Sequence, residues 1–343
     1  IKIIYYDLDV FFGQKTHPQF KNKNIISIPG KFKKPFYKHN KFYRYNKLRY
    51  IKNLFNINYS IDAIIAGSFG VIEYTISNLI INKYKDCKLF FIQDSILLRS
   101  DNNVKNKLFN IFRRYYYNNQ PRHNICDLIF VSGKATKNVL INDGVDNKKI
   151  ISTGLPRFKY LFLNKKMKLV NKKLLILLGA NSWHGYGKKL ILFERLVVKT
   201  LIELFNNNHL EYSLCIRPHP RGDSSLLNDF SQYSDDLRKD VNSSILESSA
   251  VFSIGYPSTS LFEGKVVGKE TYLIKSKDLV YDVLEQEKYE NTIINISLNA
   301  LCTNILDNTF KLNNVSFNYI DHFIDKNTVC SDTIIAKNIV NLI

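Results

Sequence analysis

The sequence predicts an α/β protein with two doubly wound domains, each a parallel sheet covered by helices on both faces. Three observations predict this fold. Short apolar runs bounded by turn residues recur along the chain, and segments with apolar residues at helical spacing lie between them. Such alternation is typical of parallel sheets. The chain also has 343 residues, which favours two cores, and its 45% hydrophobic content excludes a disordered protein.

The apolar runs are short, which suits strands, and the segments between them repeat apolar residues every three or four positions, which suits helices. Each such helix would provide the crossover that two parallel neighbours need. In chain order, the predicted strands are residues 1–6, 63–66, 89–93, 128–132, 174–179, 212–216, 250–254 and 271–274. The predicted helices are residues 72–81, 104–116, 190–205 and 261–267.

A polar, basic connector separates two series of elements. Residues 154–157 (Gly-Leu-Pro-Arg) end the first series, residues 164–173 are rich in lysine, and a new strand begins at Leu174. A ligand cleft is expected between the two domains. The predicted division is an N-terminal domain at residues 1–163, a C-terminal domain at 174–330 and a final amphipathic helix at 331–343.

The chain is strongly basic, with a net charge of +19, and the excess is concentrated near its beginning. Residues 1–50 contain twelve Lys and Arg but only two acids, and aromatic residues interleave with the bases at 31–50. This composition suits an anionic membrane surface, an acidic glycan or a single-stranded nucleic acid, or it is a solvated basic face. No nucleic-acid-binding module is recognisable, so no nucleic-acid partner is expected. Peripheral contact of residues 31–50 with an anionic membrane is retained as a candidate.

Cysteine spacing and hydropathy argue against several other classes of protein. The five cysteines are scattered and never in C-x-x-C spacing, which argues against a zinc site or a disulfide framework. No apolar run approaches the roughly 20 residues that span a bilayer, and no signal-peptide pattern opens the sequence. We expect a cytoplasmic protein, with peripheral attachment at the inner membrane face as the alternative.

The motif at residues 216–221 (Ile-Arg-Pro-His-Pro-Arg) is the most informative for function. Proline lacks an amide proton and restricts the residue before it, so this segment is expected to form a rigid loop at a strand end. An imidazole beside cationic groups can stabilise charge on a leaving phosphate. In the alternative interpretation, the histidine caps the loop and the arginines are solvated. The candidate residues here are His219 as a catalytic group and Arg217 and Pro220 as donor-binding residues.

A second motif at residues 255–260 (Gly-Tyr-Pro-Ser-Thr-Ser) precedes a predicted helix. Ser258, Thr259 and Ser260 could present hydroxyls and free backbone amides to an anion at the helix N-terminus. Ser260 and Glu263 also fit a capping box, so the serines could serve only to begin the helix. Capping and anion binding are compatible, and we predict both for Ser258 and Thr259.

A third candidate segment is the loop that follows the first strand of the second domain. It contains glycine but has neither the dinucleotide-binding nor the Walker pattern. Its position before a long helix places it where a donor could approach. Asn181, His184 and Lys188 are the candidate donor contacts in this segment.

Three further segments resemble the end of the N-terminal domain in GT-B-fold bacterial surface-polysaccharide transferases: residues 132–134 (Ser-Gly-Lys), 140–145 (Leu-Ile-Asn-Asp-Gly-Val) and 153–158 (Thr-Gly-Leu-Pro-Arg-Phe). This group includes sialyltransferase-like enzymes with HP and Ser/Thr motifs, CDP-glycerol polymer transferases and, more distantly, UDP-sugar 2-epimerases. The resemblance covers about residues 60–275. It implies that two Rossmann-like domains face a cleft, that the first binds the acceptor and the second the nucleotide-sugar, and that the final helix returns to the first domain.

The resemblance also implies roles for individual residues. His219 and Pro220 match the HP motif, whose histidine contacts the donor phosphate, and Glu263 matches a glutamate that reaches the nucleotide ribose. Asp94 takes the position of the catalytic base that activates the acceptor hydroxyl. The chain departs from that acidic motif because Gln precedes Asp94 and Ser follows it. Three residues that could line the acceptor side are Gly67, Ser68 and Arg99.

We therefore expect an inverting glycosyltransferase that moves a sialic or related nonulosonic acid from a CMP-activated donor to a cell-surface glycan: lipooligosaccharide, O-antigen or capsule. The alternatives are a CDP-glycerol-type or UDP-sugar transferase, a hydrolysing UDP-sugar 2-epimerase, and a non-enzymatic protein that binds anionic glycan or a membrane surface. Asp7 and Asp9 form an Asp-x-Asp pattern of the kind that binds a metal, but they follow the first strand alone. No metal or other cofactor is expected.

Overall fold

The computed structural model describes residues 5–7, 25–27, 61–67, 71–97, 121–164, 172–179, 188–219, 231–236, 239–276, 286–310 and 319–343. In these residues strands and helices alternate and every sheet is parallel, which confirms the α/β prediction. The predicted helix at 104–116 and the basic segment at 31–50 lie outside the described residues. None of the helices in the described part of the chain is long and apolar enough to cross a membrane.

The first half of the chain contains a four-stranded sheet and a separate two-stranded one. All neighbours in the larger sheet are parallel and follow the order of the chain. Its strands are β3 (Ala63–Ala66), β4 (Lys88–Ile92), β5 (Leu128–Val131) and β6 (Ile150–Ser152). The two-stranded sheet pairs β1 (Tyr5–Asp7) with β2 (Ile25–Ser27). The associated helices are α1 (Val71–Lys83), α2 (Lys134–Asn142) and α3 (Lys159–Leu163).

The second half forms a five-stranded parallel sheet in the order β8-β7-β9-β10-β11. The strand order reverses at β7, and in such sheets ligands bind outside the carboxyl ends of the strands at this reversal. The strands are β7 (Lys173–Leu177), β8 (Ser213–Arg217), β9 (Ala250–Ile254), β10 (Glu270–Lys275) and β11 (Ile294–Ser297). The helices are α4 (Lys188–Asn207), α5 (Val241–Glu247), α6 (Thr259–Val266), α7 (Gln286–Glu290) and α8 (Leu298–Leu306).

Both faces of this second sheet are buried. On one face, Leu174 of β7 shares an apolar cluster with Val197 of α4. On the other face, its neighbour Leu175 shares a cluster with Phe262 of α6. Successive strand residues point to opposite faces, so a strand covered on both sides must be continuously apolar. This burial explains the uninterrupted apolar run that predicted β7.

One apolar cluster joins the two halves of the chain. The segment that follows β6 contributes Leu155, Phe158 and Leu161, all fully buried, to the cluster that contains Leu261 and Phe262 of α6. The packing that orients α6 therefore includes side chains from both halves. This shared core brings the carboxyl edges of the two sheets towards one another.

The end of the chain packs on the first sheet. It consists of α9 (Ile320–Phe323), a 3₁₀ turn (Lys326–Cys330) and α10 (Ser331–Val340). Ile335 and Ile339 of α10 share a cluster with Phe90 and Phe130 of β4 and β5. The backbone amide of Asp325 donates to the Ser132 carbonyl over 2.7 Å. Contacts with the first sheet thus begin before residue 331. The sequence did not reveal this earlier contact because the short α9 lacks the apolar repeat that marked the final helix. The limits predicted for the domains stay predictions.

Two glycines in the motifs that carried the resemblance allow this close packing. A Cβ atom on Gly133 would lie 2.6 Å from the Phe323 carbonyl carbon. Gly154 has a φ of +75°, and a Cβ there would overlap Thr328. A side chain at either position is therefore excluded by the approach of residues 322–328. The glycines of the Ser-Gly-Lys and Thr-Gly-Leu-Pro motifs thus have a structural function, because they allow residues 322–328 to pack closely against them.

Candidate functional site

The candidate site lies at the carboxyl edge of the second sheet. The adjacent strands β8, β7 and β9 all end there, because they are parallel. After β8 the chain continues into Pro218, which is buried, and His219, which is exposed. After β9 it continues through Gly255 to the start of α6. The histidine motif and the serine motif are thus placed at the same edge.

Arg217 is anchored within the protein. Its Nη1 donates to Asp235 Oδ2 over 2.6 Å and to Ser244 Oγ over 3.1 Å, and its Nη2 donates to the Lys239 carbonyl over 2.7 Å. Only 12% of the arginine side chain and 4% of the aspartate side chain are exposed. Arg217 therefore secures the segment that begins the histidine loop. Its predicted contact with the donor stays a prediction, and the acidic partner lies too far along the sequence to have been foreseen.

Asp235 is charged and buried at this anchor. Burial by itself raises its pKa, but hydrogen bonds from Ser244 and Arg217 outweigh burial and hold the pKa below its usual value. The Asp235 amide also donates to the Ile216 carbonyl over 2.9 Å, which attaches its segment to the edge of β8. The base of the histidine loop is therefore held by backbone and side-chain bonds together.

The N-terminus of α6 differs from the sequence prediction in one detail. Ser258, rather than Ser260, is the N-cap residue, and its Oγ accepts from the Ser260 amide over 3.3 Å. The capping-box assignment was wrong, since the extended backbone at Ser258 makes Thr259 the first helical residue. Gly255 has a φ of +68°, which permits the sharp turn between β9 and the helix.

Glu263 is fully buried beneath the first turns of α6. Its Oε1 lies 2.5 Å from Nη2 of Arg157, whose side chain is 44% exposed. Apart from this ion pair, neither carboxylate oxygen has a hydrogen-bond partner among the described residues. The predicted contact of Glu263 with a ribose stays a prediction, and in this conformation its carboxylate faces Arg157. The sequence analysis did not select Arg157 as a site residue.

The loop that carries Asp94 meets the same helix. The Ile96 amide donates to Thr259 Oγ1 over 3.4 Å, and Arg157 Nη1 donates to the Asp94 carbonyl over 3.2 Å. The side chain of Asp94 is exposed. The structure thus brings the predicted base and the predicted anion-binding helix together, although they lie 165 residues apart in the sequence.

Gln93, one of the two departures from the acidic motif, has a structural function. Its buried side chain accepts from the Ser132 amide over 2.7 Å and donates to Thr136 Oγ1 over 3.2 Å. The Leu97 amide donates to the same Thr136 oxygen over 3.3 Å. An ionised carboxylate could not donate to that hydroxyl. Glutamine at this position therefore fixes both ends of the loop around Asp94.

The remaining predicted residues are placed incompletely. Ser68, Arg99, Asn181, His184 and Pro220 lie outside the described residues. Their predicted roles stay predictions, and so do the roles predicted for Gly67 and Lys188.

Gly67 and Lys188 are described, and each is exposed near the end of a strand or the start of a helix. Gly67 directly follows β3, and Lys188 is the first residue of α4. Two residues after the end of β7, the Gly179 amide donates to Oε2 of buried Glu194 in α4 over 2.8 Å. The sequence analysis missed this anchor because a glutamate within an amphipathic helix usually faces solvent.

The described residues contain no group of three or more His, Cys, Asp or Glu side chains arranged to hold a metal ion. Hydrogen-bond donors are present instead, in the exposed His219 and at the N-terminus of α6. These groups suit an anion. The expectation that no cofactor is required stays a prediction.

Comparisons with known proteins give similarity in fold without close similarity in sequence. No model of a known protein family matches the chain, and no curated protein matches it. A variant of the wall teichoic acid polymerase TagF soaked with CDPG aligns with a TM-score of 0.58 and 12% identity, over 99% of this chain and 80% of that one.

Two further structures are similar to a comparable extent. The MnaA–UDP structure from S. aureus aligns with a TM-score of 0.54 and 13% identity, over 93% of this chain and 84% of that one. The UDP-GlcNAc 2-epimerase from Methanocaldococcus jannaschii aligns with a TM-score of 0.51 and 12% identity, over 99% and 91%. The chain therefore has the GT-B-type fold that its sequence predicted.

Proposed function

We propose that the protein is an inverting transferase that uses a nucleotide-activated donor. The observation that carries the proposal is the bond between the Ile96 amide and Thr259 Oγ1, since it joins the loop of the predicted base to the predicted anion-binding helix. Such an enzyme needs a base on one side of the cleft and a group that accepts the leaving phosphate on the other. Asp94 and the start of α6 fulfil these requirements.

In the proposed mechanism the second sheet holds the donor. The N-terminus of α6 offers backbone amides and the positive end of the helix dipole to the phosphate. The Ser258 and Thr259 hydroxyls and the His219 imidazole donate further hydrogen bonds as negative charge builds on the leaving nucleotide. Asp94 removes the proton from the acceptor hydroxyl, which attacks from the opposite side. These protein groups would stabilise the charge without a metal ion.

For the donor, the sequence favours a CMP-linked sialic or nonulosonic acid and a cell-surface glycan as acceptor. The TagF structure with CDPG and the MnaA structure with UDP support two other donors, a CDP-glycerol and a UDP-sugar. A helix N-terminus with hydroxyls and an imidazole recognises phosphate and does not distinguish these nucleotides. The base-binding contacts must decide between them.

Calorimetry with CMP, CDP and UDP tests this proposal. We expect one of the three to bind, and His219→Ala to weaken its affinity about tenfold or more through loss of a hydrogen bond to charge. His209→Ala is the matched control because His209 is exposed at the opposite end of β8. Binding of UDP without CMP would exclude the sialic acid donor. Binding of none of the three nucleotides would contradict the proposal.

The second candidate function is hydrolytic 2-epimerisation of a UDP-sugar, and the similarity to a UDP-GlcNAc 2-epimerase structure supports an epimerase. Incubation of the protein with UDP-GlcNAc and no acceptor distinguishes the two. An epimerase would release UDP together with the epimerised sugar. A transferase would need an added acceptor for rapid turnover.

The basic composition of residues 31–50 supports a membrane surface as the place where this chemistry occurs. We propose that residues 31–50 hold the protein at an anionic membrane surface, where a glycan acceptor would be concentrated. Substitution of the Lys residues in this segment by Ala should release the protein from vesicles of anionic lipid. If vesicle binding persisted, the segment would be a solvated basic face.

A further inference from the structure

Arg157 lies at the point where the two halves of the candidate site meet. One guanidinium nitrogen contacts the Asp94 carbonyl over 3.2 Å, and another lies 2.5 Å from the Glu263 carboxylate. Asp94 belongs to the loop after β4, and Glu263 belongs to α6, which begins at Thr259. A single side chain thus connects the predicted base loop to the predicted donor-binding helix.

The backbone that carries Arg157 is fixed. Arg157 is the central residue of the 3₁₀ turn Pro156–Phe158, and its proline restricts the first position of that turn. The flanking residues Leu155 and Phe158 are fully buried in the cluster shared with Phe262. Arg157 is therefore held at its base by apolar packing while its guanidinium reaches the cleft.

Glu263 depends on Arg157. Its side chain is 0% exposed, Arg157 is its ion-pair partner, and no other group in the described part of the chain donates a hydrogen bond to either oxygen. A buried carboxylate without a partner is costly, so the ion pair should persist and restrict the arginine to one orientation. With Glu263 holding it in place, the guanidinium can fix the position of the Asp94 backbone.

We propose that Arg157 is a positioning residue that sets the separation between the Asp94 loop and the anion-binding end of α6. This proposal rests on the proposed function for the identity of the two sides that it connects. Transfer requires the acceptor oxygen and the donor carbon to be held about 3–3.5 Å apart, so a small displacement of the base loop lowers the rate strongly. Nucleotide affinity depends on the second sheet alone and should change little.

The informative variant is Arg157→Met/Glu263→Gln. It replaces both charged side chains with neutral ones of similar size, so it leaves no buried charge uncompensated. Lys159→Ala is the matched control. Lys159 lies two residues away and pairs with Asp332 over 2.7 Å, with 38% of its side chain exposed, but neither partner belongs to α6.

The first measurement is hydrogen exchange of the protein without ligand. In the double variant, we expect the Ile96 amide, which bonds to Thr259, to exchange about tenfold faster, while the Leu97 amide, which bonds to Thr136 within the first half, keeps its rate. Lys159→Ala should leave both rates unchanged. If the Ile96 amide kept its wild-type rate in the double variant, the proposal would be overturned.

The second measurement is kinetic and uses whichever of CDP-glycerol, UDP-GlcNAc and CMP-sialic acid the wild-type protein turns over. We expect kcat to fall about tenfold or more in the double variant while the Kd of the nucleotide stays within about threefold. An equal loss in Kd would make Arg157 a direct ligand contact and overturn the positioning role. Failure of the wild-type protein to bind nucleotide would instead contradict the proposed function, and the exchange measurement would still decide the role of Arg157.

Discussion

Two arginines in this protein pair with buried carboxylates, and their surroundings differ. Arg217 is mostly buried, and its partners Asp235 and Ser244 all belong to the second half of the chain. Arg157 is half-exposed, and it pairs across the cleft with Glu263. The first ion pair is part of a hydrogen-bonded network, whereas the second has little support from other groups. This difference indicates that the first maintains a loop within the second half of the chain and that the second joins the two halves.

The largest loss of stability is expected when the Arg217–Asp235 ion pair is broken. Asp235→Ala leaves the Arg217 guanidinium buried without its carboxylate, and it should reduce the free energy of unfolding by about 3–5 kcal/mol. Asp332→Ala removes the acid of an exposed ion pair, and it should reduce the free energy of unfolding far less. Urea denaturation of both variants measures the difference. Similar values for the two would show that the Arg217 network does not anchor the loop.

An intermediate effect is expected at the second pair. Arg157→Ala leaves Glu263 buried without a partner, which should reduce the free energy of unfolding by about 1–3 kcal/mol. Removing the carboxylate charge as well, in Arg157→Ala/Glu263→Gln, should restore part of that loss. Denaturation of the single and double variants measures the coupling between the two side chains. If the losses simply added, the two residues would not interact in solution.

The smallest expected effect concerns pH. The pKa of Asp235 is lowered in the folded protein, so its ionised form stabilises the fold above the unfolded-state pKa of about 4. This contribution is lost as pH falls through the folded-state pKa. The stability difference between the wild-type protein and Asp235→Asn should therefore be constant near neutral pH and shrink below about pH 4. A difference that grew in acid would contradict the pairing with Arg217.

The fold could be predicted from the sequence largely because its central strands are buried on both faces. The prediction for residues 250–254 matches β9, all of whose residues are buried, and the prediction for residues 63–66 matches β3 although that edge strand is only partly buried. The strands β6 and β11 were not predicted. They contain only three and four residues, and polar residues interrupt them. Such short segments become strands through their neighbours in the sheet.

The candidate site was less predictable because its chemistry depends on contacts between distant segments. The loop around His219 and the helix at Thr259 could be found from local motifs. The acid that holds Arg217 lies 18 residues further on, and the arginine that meets Glu263 lies 106 residues before it. The capping box at Ser260 failed for a different reason: the pattern occurs there, but extended backbone places the helix start at Thr259. Local patterns identify functional groups, and tertiary packing decides their partners.

The return of the chain end to the first sheet has a mechanical consequence. In chain order, the chain crosses from the first half to the second after α3, and it returns to the first half before α9. A single covalent connection would allow the halves to swivel about it in any direction. Two connections leave bending about the line that joins them as the easiest motion. Motion between the halves should therefore resemble bending of a hinge, with the buried cluster beside Arg157 and Glu263 remaining packed as the halves bend.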